Sequence, residues 1–307
     1  MAEDQVIAVL MGGPGSEREV SLASGRAVLK ALQGAGERAV GVEVTGREIV
    51  LPAGTVLAFN VIHGTFGEDG ELQAKLEALG VAYTGAGVAS SRLAFDKCAS
   101  KERFIAAGVP TPRSETVDVA AGLRLPAMSV PLVVKPPCEG SSVGVHIVMD
   151  ASGIEAAMRD AARYGSQVLV EQFIAGKELT VGILADAALP VIHIAPRGGF
   201  YDMNNKYPWM GGGGGTDYHC PADLDEETTR RVQEAALAAH RALGVEVYSR
   251  VDVLLDSSGA PYVLEVNTIP GMTESSLLPK AAAAAGYEFA RLCQVIAELS
   301  KEVRSHA

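Results

Sequence analysis

Residues 247–267 read VYSRVDVLLDSSGAPYVLEVN. Two apolar, β-branched runs, Val247–Leu255 and Tyr262–Asn267, flank the turn Ser257-Ser258-Gly259, and that pattern predicts an antiparallel hairpin. Side chains two apart on a strand share a face. Arg250 and Asp252 therefore point one way on the first strand, and Glu265 and Asn267 share a face of the second. The hairpin sets Asp252 against that pair. Three oxygen donors, two of them anionic, suit a hard divalent cation that keeps waters and binds phosphate, as Mg²⁺ does. The competing reading is an exposed polar sheet face.

Downstream, Thr268-Ile-Pro-Gly271-Met-Thr-Glu-Ser275-Ser276-Leu277 joins the hairpin to a predicted helix, Leu277–Ala285. A glycine turn followed by serines leaves backbone amides at the helix start, where they can hold a carboxylate or a developing oxyanion, or serve as an ordinary cap. Glu226–Leu243 and Glu288–Val303 also carry helical spacing. Upstream lie predicted strands Leu179–Leu184 and Pro190–Ile194. Between them and the helix at Glu226, Tyr201-Asp202-Met-Asn-Asn-Lys206-Tyr207 precedes five consecutive glycines, Gly211–Gly215. A lysine and two tyrosines there suit a mobile lid over an anionic ligand, or a solvated loop.

Further upstream, Pro131–Lys135 and Val145–Met149 form a second predicted hairpin around Glu139-Gly-Ser141-Ser142, with a strand at Gln167–Phe173 and a helix at Ile154–Tyr164. Lys135, at a strand end beside a Gly/Ser loop, is placed to hold phosphate, although the loop also reads as a plain turn. The P-loop order is absent. Asp96–Ala107 is a predicted helix closed by Gly108 and Pro110. Before it, elements alternate: strand Gln5–Met11, a helix capped by Ser16, strands Ala39–Val44 and Val56–Ile62, helix Glu71–Leu79, strand Val81–Tyr83. Such alternation implies a parallel sheet. Gly12-Gly-Pro-Gly-Ser16 lacks the third glycine of a dinucleotide fingerprint. His63, in His63-Gly-Thr-Phe-Gly67-Glu68-Asp69-Gly70, sits at another strand-to-helix turn, where a lone histidine more often bonds the loop than acts as a base.

The 307 residues are 48% hydrophobic and 21% charged, which excludes a disordered chain and leaves room for two or three domains. With 26 Lys+Arg against 37 Asp+Glu, the net charge of −11 argues against nucleic acid as a partner. A polyanionic ligand must then be gripped by a few placed cations, because the overall field repels it. Cys98, Cys138, Cys220 and Cys293 are scattered, as expected of reduced thiols in a cytoplasmic protein. The acidic start, Met1-Ala2-Glu3-Asp4, lacks the basic region of a signal peptide, and no run of 18 apolar residues predicts a membrane span.

Taken together, these motifs resemble the D-alanine–D-alanine ligases of the ATP-grasp superfamily. The resemblance rests on Gly12-Gly-Pro-Gly-Ser-Glu17-Arg-Glu-Val-Ser21, His63-Gly…Gly67-Glu-Asp-Gly70, Asp96-Lys97, Val134-Lys135-Pro…Glu139-Gly-Ser-Ser142, Glu171-Gln-Phe173-Ile174, Glu178, Tyr201-Asp…Lys206-Tyr207, Arg250-Val-Asp252 and Glu265-Val-Asn267…Gly271-Met-Thr…Ser276-Leu277. Their order runs from about Val6 to Leu299. The resemblance implies an α/β, three-domain ATP-grasp architecture: a parallel-sheet domain over 1–95, a central domain over 96–180 and a catalytic domain over 181–307, with ATP gripped between the last two. It implies that ATP phosphorylates the carboxylate of one D-alanine and that the amine of a second displaces phosphate, giving the dipeptide for peptidoglycan precursors.

By the same resemblance, Lys97, Lys135 and Lys206 hold ATP phosphates, and Glu171, Phe173, Ile174 and Glu178 take adenine and ribose. Asp252, Glu265 and Asn267 bind two Mg²⁺ ions, for which Mn²⁺ can substitute. Glu17 and His63 take the first D-alanine, Ser276 and the Leu277 amide the second carboxylate, and Arg250 with the Gly271 amide the oxyanion. Glu17, Ser141 and Tyr207 form a hydrogen-bonded trio across the domains. A homodimer without membrane or nucleic-acid partners is expected. Tyr207 stands where family members that make D-alanyl-D-lactate carry Phe, so D-alanine is the expected acceptor. The alternatives are another carboxylate–amine ligase, a D-lactate or D-serine ligase, or a nucleotide-binding module without turnover. Gly15, Met203 and the stretch Pro208-Trp209-Met210 with its glycines depart from the family pattern.

Overall fold

A computed structural model describes residues 5–140, 142–198 and 215–305. Ser141, Lys206, Tyr207 and the expected lid lie outside that set.

All seven residues of β1 (Val6–Gly12) are buried, as a strand covered on both faces must be. It forms the middle of a parallel sheet in the order β2 (Ala39–Val44), β1, β3 (Thr55–Asn60), β4 (Ala82–Tyr83). Alternate β1 side chains go to opposite layers. Val9 and Met11 pack with Leu22, Val28 and Leu32 of α1 (Arg18–Gly34), and Ala8 and Leu10 with Leu72 and Leu76 of α2 (Glu71–Ala78). The chain leaves β1 through Gly12 and Gly13, both at φ near +90°, a region open to glycine.

The expected Ser16 cap is not formed. The cap position falls on Glu17, with no side-chain bond, and the Arg18 amide is satisfied by the Gly15 carbonyl at 3.3 Å. The turn closes by backbone, so the hydroxyl is not needed. Ser21 Oγ instead takes the Gly12 amide at 2.9 Å and donates to the Val61 carbonyl at 2.7 Å, fastening the turn to the strands.

The middle of the chain forms α3 (Val88–Phe95), α4 (Lys97–Ala106) and an antiparallel sheet in the order β5 (Ser114–Asp118), β8 (Gln167–Gln172), β6 (Leu132–Lys135), β7 (His146–Val148). Asp96 ends α3 and caps α4, accepting the Cys98 and Ala99 amides at 2.9 and 3.2 Å. α5 (Ile154–Ala161) covers this sheet through Ala157, Met158 and Ala161. The predicted hairpin closes with Leu132 opposite Val148.

The last sheet runs β12 (Thr216–His219), β11 (Ile192–Pro196), β9 (Gly176–Leu184), β13 (Tyr248–Asp256), β14 (Pro261–Asn267), with β10 (Ala187–Ala188) beside β9. α6 (Glu226–Ala242) packs on one face. α7 (Leu277–Ala284) and α8 (Phe289–Arg304) pack on the other. That second core also takes in β1, β3 and α1, so the first and last sheets share one apolar interior. The mixed α/β layering agrees with the sequence expectation. β5, β10, β12 and α3 escape the sequence reading. In β5, SETVD, Val117 alone is buried, so the strand shows no alternating apolar face. In α3, Ser90 and Ser91 are held by Glu246 and by the Ala86 carbonyl, which masks the helical pattern.

Candidate functional site

The central and last sheets face each other across a cavity of about 710 Å³. Pro112, Val133, Ile147, Phe173, Ile174 and Leu254 give it an apolar wall suited to a flat ring. Lys97, Lys135, Glu171, Glu178, Asp252 and Glu265 gather along its polar side. Eight of the sequence candidates thus line one space, from elements as far apart as α4, β6, β8, β9, β13 and β14.

Each charged group has a defined hold. Lys97 opens α4, and its Nζ donates to the Glu139 carbonyl at 2.7 Å and lies 3.2 Å from Glu265. Burial works against its charge, but Glu265 outweighs that and raises the Lys97 pKa. Glu171 is 2% exposed, with Lys135 Nζ 2.5 Å from Oε2 and Lys101 Nζ 2.8 Å from Oε1. Burial opposes its ionisation too, yet the two ammonium groups hold the carboxyl below its ordinary range. Sequence reasoning missed Lys101. Its signal is the spacing: residues four apart on a helix lie on one face, so Lys101 follows Lys97 towards the same wall.

On the hairpin, Asp252 stands opposite Glu265, as the sequence predicts, and Arg250 stands opposite Asn267. Arg250 grips Asp252 with two bonds, Nε–Oδ1 at 3.0 Å and Nη2–Oδ2 at 2.8 Å. Thr180 donates to Oδ1 at 2.6 Å, and Asn267 Nδ2 lies 3.2 Å from Oδ2. Among the described residues no cluster of three or more His, Cys, Asp or Glu could hold a metal. Two carboxylates and a carboxamide do fit a hard oxygen-seeking cation. That donor set matches Mg²⁺ and is poor for zinc, which prefers nitrogen and sulfur.

A second constellation gathers around His63. His63, on the loop after β3, places Nδ1 2.8 Å from the Ile269 carbonyl and Nε2 3.3 Å from Ser24 Oγ. The Met272 amide donates to the same Ser24 hydroxyl at 3.2 Å. The ring is buried, which disfavours its charge. The bond to Glu68, the charges of Glu68 and Glu17, and the Ile269 carbonyl outweigh burial and raise the His63 pKa above its ordinary 6.5. Glu17 reaches the central sheet's turn: a Cβ added to Gly140 would meet its Oε2 at 3.1 Å, and one on Gly64 at 3.0 Å.

Gly271 lets the loop pack closely on Ser276, since a Cβ there would lie 2.9 Å from Ser276 Oγ and force that hydroxyl to shift. That hydroxyl takes the Thr273 amide at 3.1 Å, and Ser276 caps α7 without a side-chain bond of its own to the helix. Leu277 begins α7, so the helix start faces this loop. The loop thus joins β14, which carries Glu265 and Asn267, to the His63 neighbourhood.

Two antiparallel-rich units closing on a cleft, one bearing lysines and the other paired carboxylates, after an N-terminal parallel sheet, define the ATP-grasp fold. A family model described as the D-ala D-ala ligase C-terminus matches residues 114–298. The D-alanine–D-alanine ligase of Methylacidiphilum infernorum is 46% identical over 294 residues, covering 96% of this chain and 95% of its own. That of Citrifermentans bemidjiense is 48% identical over 289 residues, with 93% of each covered. The crystal structure of the Bacillus anthracis D-alanine–D-alanine ligase complexed with ATP superposes with a TM-score of 0.84 at 33% identity, over 98% of this chain and 99% of that one. The chain belongs to the D-alanine–D-alanine ligase family.

Proposed function

We propose that this chain is an ATP-dependent ligase that joins two D-alanines through a D-alanyl phosphate, yielding D-alanyl-D-alanine, ADP and phosphate for peptidoglycan precursors. The observation that carries this reading is one cavity with an apolar wall, Lys97 and Lys135 on one side and Asp252 and Glu265 on the other. It is joined through β14 and the following Ile269 to the buried His63–Ser24–Met272 cluster.

In this reading the adenine lies against Phe173 and Ile174, and Glu178 meets the ribose. Glu171 stands at the boundary between adenine and phosphates, because it is tied to Lys135. Lys97 and Lys135 draw the phosphates to one end of the cleft and neutralise them. Asp252, Glu265 and Asn267 would hold Mg²⁺, which supplies charge neutralisation for phosphoryl transfer. A carboxylate is a poor electrophile, so its oxygen must first become a leaving group. The γ-phosphoryl goes to a carboxylate oxygen of the first D-alanine, and ADP leaves. The amine of the second then attacks that carbonyl carbon, and the C–O bond to phosphate breaks. Positioning and charge balance do most of this work.

Glu17 takes the ammonium of the first D-alanine, with His63 walling its pocket. Arg250 and the Gly271 amide face the tetrahedral oxyanion, and Ser276 and the Leu277 amide take the second carboxylate. Ser141 and Tyr207 complete a trio with Glu17, and Lys206 closes on the phosphates. Residues 1–95, 96–180 and 181–307 are read as three domains, and the molecule as a cytoplasmic homodimer. Among the described residues no helix is long and apolar enough to cross a membrane.

Purified protein with ATP, Mg²⁺ and D-alanine should give one ADP and one phosphate for each dipeptide. Absence of dipeptide would refute the reading. Replacing the acceptor by D-lactate or D-serine separates the alternatives, and comparable turnover with either would move the assignment to them.

A further inference from the structure

Lys101 lies behind the wall of the cleft and does not line the cavity. It is 2% exposed. Its ammonium donates to Thr111 Oγ1 at 2.7 Å and to the Pro112 carbonyl at 2.9 Å, and it forms an ion pair with Glu171 Oε1 at 2.8 Å. Thr111 in turn donates to the Val263 carbonyl of β14 at 2.8 Å, which ties this corner to the last sheet. Lys101 therefore reaches the cavity through Glu171. Across the shared carboxylate, Lys135 does face the cavity.

Charge balance gives the arrangement its meaning. Were Glu171 paired with Lys135 alone, the two would form a neutral dipole with little attraction for an anion in the cleft. With Lys101 on the far oxygen, the three groups carry one net positive charge, and Lys135 is the cation among them that lines the cavity. In a chain of net charge −11, such a local cation has few helpers.

We propose that Lys101 is a positioning residue for the nucleotide: it compensates Glu171 from behind, so that Lys135 offers an uncompensated charge to the phosphates. The inference rests on the reading of the cleft as the ATP site.

The test compares binding of ADP with Mg²⁺ to binding of adenosine, by titration calorimetry at fixed ionic strength, in the native protein, Lys101→Met, Glu171→Gln and the double variant. The readout is the preference for ADP over adenosine, because a general loss of structure weakens both ligands alike. At an effective dielectric of ~20, one unit charge several ångströms away is worth roughly tenfold or more in affinity. The preference should fall about tenfold in Lys101→Met and return to within about threefold of native in the double variant, which restores the net charge. It should be highest in Glu171→Gln.

If Lys101→Met does not fold, Glu171→Gln against the double variant reads the same charge, since removing both partners of a buried pair is better tolerated than removing one. Equal preferences in that comparison, or an unchanged preference in Lys101→Met, would overturn the inference alone. A native protein that binds neither ligand would overturn the reading of the cleft and the inference with it.

Discussion

His240 shows what burial does to one side chain. It is 3% exposed on α6, with Nδ1 2.7 Å from Ser249 Oγ. Burial pushes its pKa down from 6.5 to about 4, with Asp186 opposing and Arg241 assisting. The folded protein keeps the ring neutral, whereas the unfolded chain binds a proton below pH 6.5. Stability from this residue is therefore fully present above pH 6.5 and is lost as the pH falls towards about 4, below which both states are protonated. The gap corresponds to about 3 kcal/mol at neutral pH. Urea unfolding across pH 4–7 should show this acid limb in the native protein and a flatter one in His240→Asn; identical slopes would refute it. The reason the roles of the candidate cations could be read from sequence, while for Lys101 only its helical spacing from Lys97 could, is also a matter of single residues. Lys97 and Lys135 stand beside recognisable turns, but the partners of Lys101, namely Thr111, Pro112 and Glu171, are apparent only once folded.

At the scale of the element, α4 matters because its first residue is Lys97. The Asp96 carboxylate accepts two amides of that first turn and so fixes where the lysine starts. Replacing a capping Asp by Ala typically costs about 1 kcal/mol. Asp96→Ala should lower the melting temperature by roughly 2–4 °C, with Asp96→Asn recovering most of the loss. Because Lys97 spans from Glu139 to Glu265, the same variant should raise the KM for ATP more than it lowers kcat. An unchanged KM in a folded Asp96→Ala protein would show that Lys97 does not depend on the cap. Elements with a strong local pattern, such as the apolar stripe of α1 and the continuous apolar run of β1, were legible in advance. α3 and β5 were not: Val117 alone is buried in β5, and Ser90 and Ser91 interrupt the apolar stripe of α3 by bonding Glu246 and the Ala86 carbonyl.

For the whole molecule, one residue near the carboxyl end joins the first sheet to the last. Arg304 of α8 donates to the Gly85 carbonyl at 2.7 Å and to Glu246 at 3.0 Å, and lies 4.4 Å from the Tyr83 ring centre. Glu246 also receives the Gly87 amide at 2.8 Å and the Ser90 hydroxyl at 3.0 Å. This knot holds the link between β4 and α3 against the last sheet. Arg304→Ala removes a mostly buried cation and leaves Glu246 short of a partner. It should destabilise the protein by about 2 kcal/mol, read as a lower urea midpoint. An unchanged midpoint would show that the shared core alone sets the joint.

The sequence by itself determined which chemistry this protein can carry. The alternation at the amino end required a parallel sheet, and the hairpin of Asp252, Glu265 and Asn267 followed from strand periodicity and one turn, because both are local properties of the chain. The family was legible for the same reason, in short motifs whose order survives in one dimension. Only the tertiary structure decided which groups meet. It set Lys97 against Glu265, enclosed Glu171 between Lys135 and Lys101, brought Glu17 to the Gly140 turn and buried His63 against Ile269 and Ser24. It also joined the first and last sheets in one core. These contacts span tens to hundreds of residues, and no local propensity encodes them. They exist because apolar faces far apart in the chain must be buried together, and the charged groups are carried to their partners by that burial.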